Sequence, residues 1–299
     1  MPRARLTSPD LAKPGSDLQY PSMILICHKE TGETLLEVPG DTLAGADLEG
    51  AMLLGADLRG ADLRGGFLRM VDLCQADLRG ARLDGADLRD ADVTLANLVG
   101  TSFRDAVIAD ARLQGVNMGL PGPVGTDFTG ADLTRAYLNF SNLTGSTFRN
   151  AQLQGSDLTR CDLTGAELAG ASLTRANLSN SNLQRTDLSY AMLVAAVLND
   201  TDLTGAVLRH AELALATLSG VLLADADLTG AHLSRTVFAR CHDLHRAVGL
   251  DSLSCSSPSS IDLETLRVCL VGLPKEFLED VGVEPRESEA LRGMAGLMA

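Results

Sequence analysis

The chain has 299 residues, 45% of them hydrophobic, enough for a sizeable buried core and too apolar for an intrinsically disordered protein. Only 3% are aromatic, with no Trp, so the core is expected to be narrow and regular rather than filled by large rings. The formal net charge of −14, with lysine only at Lys13, Lys29 and Lys275, excludes a binder that tracks nucleic-acid phosphates with clustered basic residues.

Residues 1–22 contain no apolar h-region, and no apolar run in the chain is long enough to span a bilayer. A flexible N-terminal segment, a cytoplasmic location and no membrane partner are the resulting expectations. Met23 to Lys29 and Glu33 to Val38 are apolar runs flanking Thr31-Gly32, which predicts a β-hairpin over residues 23–40.

From Leu43 to Phe238 every fifth residue is apolar. Of these 40 positions 32 are Leu, the others being Val93, Phe103, Ile108, Met118, Phe128, Phe148, Phe238 and one exception, Pro123. Two residues before each stands a small one, Ala in 24 of 40 cases. A period of five fits neither the helix at 3.6 nor the strand at 2, so the chain must turn in every unit. A narrow tube at interior packing density needs a large and a small inward side chain together, and glycine at the last position suits a corner of positive φ.

The modal unit A-D-L-x-G (Ala56 to Gly60, Ala226 to Gly230) resembles the pentapeptide-repeat family over residues 41–240. That resemblance implies an all-β, right-handed quadrilateral β-helix with four units per coil and about ten coils. The rod would be roughly 48 Å long at the β spacing, with the hairpin capping its apolar end. Stacking at twenty residues would place Asn142, Asp162, Asn182 and Asp202 in one ladder, with Arg64, Asp84 and Arg104 on the same side.

Residues Gly119, Leu120, Pro121, Gly122, Pro123, Val124 and Gly125 interrupt the repeat. With Met118 and Phe128 in register, the segment is expected to bulge out over one face as a candidate partner-contact loop; the Gly-Lys-Ser/Thr of a P-loop is missing. After Phe238 the repeat fails, and 241–258 is predicted as a connector. Cys241, His242 and His245 there match no standard metal spacing. The six cysteines Cys27, Cys74, Cys161, Cys241, Cys255 and Cys269 form no C-x-x-C pair, as expected of reduced thiols. Residues 259–299 read as a helical tail, with Ser259 or Ser260 as N-cap ahead of Leu263, Leu266 and Leu270. A second helix starts after Pro274 and ends at Gly282, and a third covers 285–298.

The hairpin, the rod and the tail pattern DLHRAVGL, PSSIDLETLR, GLPKEFLEDVGV together resemble a bacterial subgroup in which a Toll/interleukin receptor-type domain often follows. The sequence ends at Ala299, so neither that domain nor an NAD-cleaving activity is expected.

Asp fills the position before the inward residue fourteen times, but outward carboxylates on a convex rod lack a cleft that would desolvate them. No catalytic, cofactor-binding or metal-ligating residues and no cofactor are therefore expected. Two readings remain. The first is a non-enzymatic scaffold for a protein partner of unknown identity, acting through the 119–125 loop and the tail. The second follows from resemblance to quinolone-resistance pentapeptide proteins. It implies DNA mimicry toward a type II topoisomerase, DNA gyrase or topoisomerase IV, through an acidic face of Asp57, Asp62, Asp72 and Asp77. Between Asp41 and Arg240 the charges are 24 acidic and 16 basic, a thin field beside a duplex with one charge per ~1.7 Å. A homodimer is compatible with both readings.

Overall fold

The consensus unit is explained by where its five backbone amides go. In the computed structural model, which describes residues 22–118 and 125–295, the amide of the central residue donates to the coil above: Leu58 N to Asp77 O at 2.9 Å. The second residue donates to the coil below, Asp77 N to Ala56 O at 2.9 Å, and the fifth donates upward, Gly60 N to Arg79 O at 2.9 Å. The first residue closes a turn, Ala61 N to Leu58 O at 3.0 Å. That leaves the fourth amide, which the acidic or amide side chain two residues earlier accepts, as in Cys74 N to Asp72 Oδ1 at 2.9 Å and Gln184 N to Asn182 Oδ1 at 3.1 Å. Asp or Asn at the second position is thus an Asx acceptor that completes the backbone.

The fifth position requires a positive φ. Gly60 stands at 64°, and non-glycine residues such as Arg135 at 57° and Leu95 at 60° adopt the same conformation. The two inward positions alternate large and small: Leu163, Leu168 and Leu173 are fully buried, as are Ala171 and Ala176. Hydroxyls at the small position donate to the backbone, as Thr186 Oγ1 does to Leu163 O at 2.8 Å, with Ser146 the exception.

Parallel bridges join residues twenty apart in four ladders, starting Asp47↔Phe67 (ladder I), Met52↔Asp72 (II), Asp57↔Asp77 (III) and Asp62↔Arg82 (IV). The described coils therefore repeat every four units. At the interruption the separation becomes twenty-five: Ser102↔Asp127, Val107↔Asp132, Arg112↔Tyr137 and Asn117↔Asn142. Thr126 N donates to Met118 O at 3.2 Å, the bond that adjacent units make, so one whole unit is excluded from the coil. This corrects the expected bulge over one face. Asn142, Asp162, Asn182 and Asp202 do form a ladder, but it continues Asp57, Asp77, Asn97 and Asn117; Arg64, Asp84 and Arg104 belong beside ladder IV instead. Inside the tube the register shift is filled by aromatic stacking, with Phe103 on Phe128 and Phe128 on Phe148, each at 4.9 Å between centroids and 4° and 6° between planes.

The rod is closed at both ends. Strand β1 (Met23–Cys27) pairs antiparallel with β2 (Thr34–Pro39), and its end joins the first coil through Asp57 N to Cys27 O at 2.8 Å. Ile24, Ile26 and Val38 are buried in the common core. Near the other end lie β3 (Thr217–Ser219), β4 (His232–Ser234) and β5 (Val237–Ala239). The expected connector is instead a further, irregular coil. Its strands β6 (Ser254–Ser257) and β7 (Ser260–Ile261) pair parallel with β4 and β5, and Leu244 and Leu250 fill its interior.

Helix α1 (Leu263–Cys269) starts after that coil, capped by Asp262 accepting from Thr265 N rather than by Ser259 or Ser260. Ser260 cannot serve because it lies in the ladder. Leu266 and Leu270 are buried but Leu263 is 72% exposed. Helices α2 (Lys275–Asp280) and α3 (Pro285–Ala295) follow, and α2 sets Phe277 edge-on against Phe238 at 5.7 Å, covering the last aromatic of the tube.

Two outcomes follow. Leu163→Asp places a charge among fully buried side chains, so it should abolish the cooperative thermal transition seen by circular dichroism; a soluble variant melting like wild type would contradict the buried assignment. Deleting residues 120–124 joins Gly119 to Gly125 and restores a regular unit, so the variant should fold with a melting temperature within a few degrees of wild type. Loss of the fold on that deletion would mean that the excluded unit is part of the coil.

Candidate interaction surfaces

Of the loop residues Gly119, Leu120, Pro121, Gly122, Pro123, Val124 and Gly125, only Gly125 lies within the described residues. It marks where the chain re-enters the coil, and the approach is close: a Cβ there would overlap the Gly145 carbonyl oxygen and lie 2.9 Å from the Ser146 Cα. Glycine is required at that point by backbone packing. The chain leaves after Met118, so the loop springs from the turn between ladders III and IV.

The four aspartates expected to form one acidic face do not share one. Asp57 and Asp77 are neighbours in ladder III, Asp62 is in ladder IV, and Asp72 is in ladder II. The reason is geometric: successive units turn onto successive ladders, so only residues about twenty apart align. Three of the four are also neutralised. Arg59 binds Asp57 through Nε at 2.7 Å and a terminal nitrogen at 2.6 Å, Arg64 does the same to Asp62, and Arg79 grips Asp77 at 2.8 and 2.5 Å. Arg59 also lies 3.7 Å from Asp77, tying two coils together. Asp87 is paired with Arg89 in the same way.

These contacts set the acidities. Hydrogen bonds from Arg59 hold the Asp57 carboxyl below the ordinary value of 3.8, against a smaller opposing effect of burial. For Asp77 burial is the largest influence and pushes upward, but the hydrogen bonds and charge of Arg79 outweigh it and the net shift is down.

Three of the six thiols are held protonated. Burial pushes Cys161 and Cys241 up to about 12, and Cys74, half-buried beside Asp72 and Asp92, up to about 12 as well. Cys241 points inward, donating to Leu218 O at 3.2 Å, whereas neighbouring His242 faces outward, so the two do not converge on a common ligand.

One feature escapes the five-residue pattern, which treats all units alike. At the C-terminal end Leu263 and Val268 in α1 and Val271 in the turn after it are 72%, 57% and 81% exposed. The signal was present in the sequence, but only the observed N-cap fixes which helical residues face outward.

The lowered pKa values fix the sign of a pH effect. A carboxyl with a lowered folded-state pKa contributes stability above its ordinary value and loses that contribution as pH falls through and below it. Thermal stability should therefore hold down to about pH 4 and decline below, and Asp57→Asn with Asp77→Asn should flatten that acid limb. An unchanged acid limb in the double variant would show that these pairs are not coupled to folding.

A family model described as pentapeptide repeats matches the chain in 8 copies, over residues 43–80, 81–119, 126–165, 161–200, 181–220 and 216–247, breaking where the unit is excluded. The chain matches no curated protein. Among solved structures it is similar to HetL, a pentapeptide repeat protein involved in heterocyst differentiation regulation from the cyanobacterium Nostoc sp. strain PCC 7120. The identity is 32%, the TM-score 0.24, and the match covers 62% of this chain and 88% of that one. It is also similar to trypsin-treated QnrB1 R167E, a plasmid-mediated fluoroquinolone resistance protein, at 19% identity and a TM-score of 0.49, over 75% of this chain and 94% of that one.

Proposed function

We propose, from the premise that the chain belongs to the pentapeptide-repeat family, that it is a non-enzymatic scaffold for protein–protein interaction. The twenty-residue ladders support the finer architecture that the family resemblance implies, a right-handed quadrilateral β-helix of about ten coils with a hairpin cap and a helical tail. On this reading the rod is the rigid holder, and the partner meets the 119–125 loop and the outer side of the tail.

The observation that carries the reading is that the repeat's carboxylates are already employed. They accept backbone amides at the fourth position and pair with arginines, and Asp57, Asp62 and Asp77 lie on two ladders with their charges compensated. A DNA mimic needs a continuous uncompensated field. What the repeat does not prescribe is the excluded unit and the exposed Leu263, Val268 and Val271, and loops on rigid scaffolds carry function more often than the scaffold does. A cytoplasmic location is part of the same proposal.

The tail cannot simply be removed, since Phe277 and Leu278 are buried in the core. The test therefore uses Leu263→Glu with Val271→Glu and, separately, the 120–124 deletion. Affinity capture should retain a specific partner on the wild type and on the variant with Asp57, Asp62, Asp72 and Asp77 changed to Asn, and lose it on either scaffold variant. Inhibition of gyrase supercoiling at micromolar protein, abolished by the four Asn changes and kept by the scaffold variants, would overturn the proposal in favour of mimicry.

A further inference from the structure

The four ladders are not equivalent. Beside ladder IV the outward positions carry eleven Asp, Glu or Arg residues, whereas on ladder II they carry four: Asp72, Asp92, Arg112 and Asp157. The fourth position of the ladder II units, from Leu54 through Cys74, Gln114 and Asn199 to Ala239, holds no Asp, Glu, Lys or Arg in any coil. Exposed apolar side chains gather on the same strip. Among the described residues the coils expose thirteen large ones, and eight belong to ladder II or its two bounding turns. Met52, Leu54, Tyr137 and Val237 lie on the strip, and Met70, Leu95, Phe140 and Leu215 at its edges.

This composition works against the local backbone. Met52, Tyr137, Val197 and Val237 occupy the position where Asp or Asn would accept the fourth amide. In ladder II such acceptance is seen at Asp72, Asp92, Asp157 and Asn177, the same number of rungs as in ladders I and IV, while ladder III has it at seven from Asp57 to Asp202; what sets ladder II apart is that apolar residues fill most of its vacant rungs. A strip that gathers exposed apolar groups at its outward positions has the signature of an interface.

Charge along the strip identifies what covers it. Before the excluded unit, ladder II and its bounding turns carry Asp72, Asp90, Asp92 and Asp110 against Arg112; Arg112 lies 3.5 Å from Asp92, and Asp110 is bound by Arg135 at 2.7 Å across the interruption, so Asp72 and Asp90 carry the net negative charge of this half. After it, besides Arg135 in its pair with Asp110, they carry Arg160, Arg175, Arg235 and Arg240 against Asp157 and Asp200. The hairpin turn adds Lys29, Glu30 and Glu33 at the acidic end, where Lys29 N donates to Gly55 O. The strip is thus acidic in one half and basic in the other, with Tyr137 and Phe140 near its middle. Such a surface is complementary to itself when two rods run in opposite directions, since a two-fold axis at mid-rod lays each acidic half on the other's basic half and brings the aromatic centres together. Parallel packing would set acid on acid.

We propose that ladder II and its bounding turns form a homodimer interface, with a second copy of the chain packed antiparallel and side by side. The excluded unit leaves the coil between ladders III and IV, away from this strip, so the pairing does not cover the corner of the rod where it departs. The scaffold reading does not depend on this pairing.

Sedimentation velocity and small-angle X-ray scattering of the full chain test the proposal. A dimer is expected whose longest dimension stays near that of one rod, and whose dissociation constant rises at least tenfold when NaCl is raised from 50 to 500 mM, as the charge pairing requires. Arg175→Glu with Arg235→Glu, and separately Leu215→Asp, should each weaken it at least tenfold, while Thr144→Glu beside ladder III leaves it unchanged. Thr159→Glu, an outward change on the strip, gives a second disruption if Leu215→Asp melts below wild type. A monomer at 100 µM, a dimer of doubled length joined through the tails, or a dimer indifferent to the strip variants would each overturn the proposal. A monomer that still captures a partner through its loop would sink the dimer alone, and a strip-dependent dimer that captures nothing would sink the scaffold alone.

Discussion

Closure of the coil depends on one condition, that every backbone amide in a five-residue unit finds an acceptor. The chain turns too often for a helix or a continuous sheet to supply those acceptors. The layer above supplies two, the layer below one, and the turn itself one; the fifth comes from a side chain, Asp or Asn at the second position. An orphaned amide costs about 1–3 kcal/mol when buried, and the units bury their apolar pairs only because this arrangement holds. Leu and Ala fill the tube, but the hydrogen bonds decide that a tube exists. The same condition explains why irregularity is tolerated as a whole unit: excluding five residues leaves every layer-to-layer bond intact on both sides of the gap.

Much of this was legible in the sequence. The inward Leu and Ala positions, the hairpin at Thr31-Gly32 and the helical tail all follow from periodicity and turn chemistry. The register beyond residue 118 was not, because a five-residue insertion into a five-residue repeat leaves the periodicity unchanged. A clue lay in Phe103, Phe128 and Phe148, whose spacing of twenty-five and then twenty is what a stack of equal rings requires. The final coil was missed for a related reason: its ladder bonds survive with separations of 21 to 23, as in Asp227↔Val248 and Val237↔Ser260, after the five-residue spacing itself has failed. The Asp57, Asp62, Asp72 and Asp77 group was misread because neighbours in sequence are not neighbours on a ladder.

These corrections change what the surface says about function. Counted by composition, the rod is acidic; arranged on its ladders, ten of its 16 arginines sit in ion pairs, and the aspartates at the second position each accept a backbone amide. The uneven features stand out against that uniform background: an excluded unit between ladders III and IV, apolar residues on the outer side of the tail, and a charge-poor strip along ladder II. A repeat protein lengthens by adding layers and specialises by departing from the consensus, so the departures are where recognition should be sought.

The central claim is the shift of register, because the ladders, and with them every surface assigned above, are drawn from it. It is tested most directly by scalar couplings across hydrogen bonds in a deuterated, isotope-labelled sample. The Phe103 amide donates to the Asp127 carbonyl at 2.7 Å, so a coupling from the nitrogen of residue 103 to the carbonyl carbon of residue 127 is predicted. A coupling from Phe103 to the carbonyl of residue 122, as uninterrupted twenty-residue stacking demands, would contradict the account.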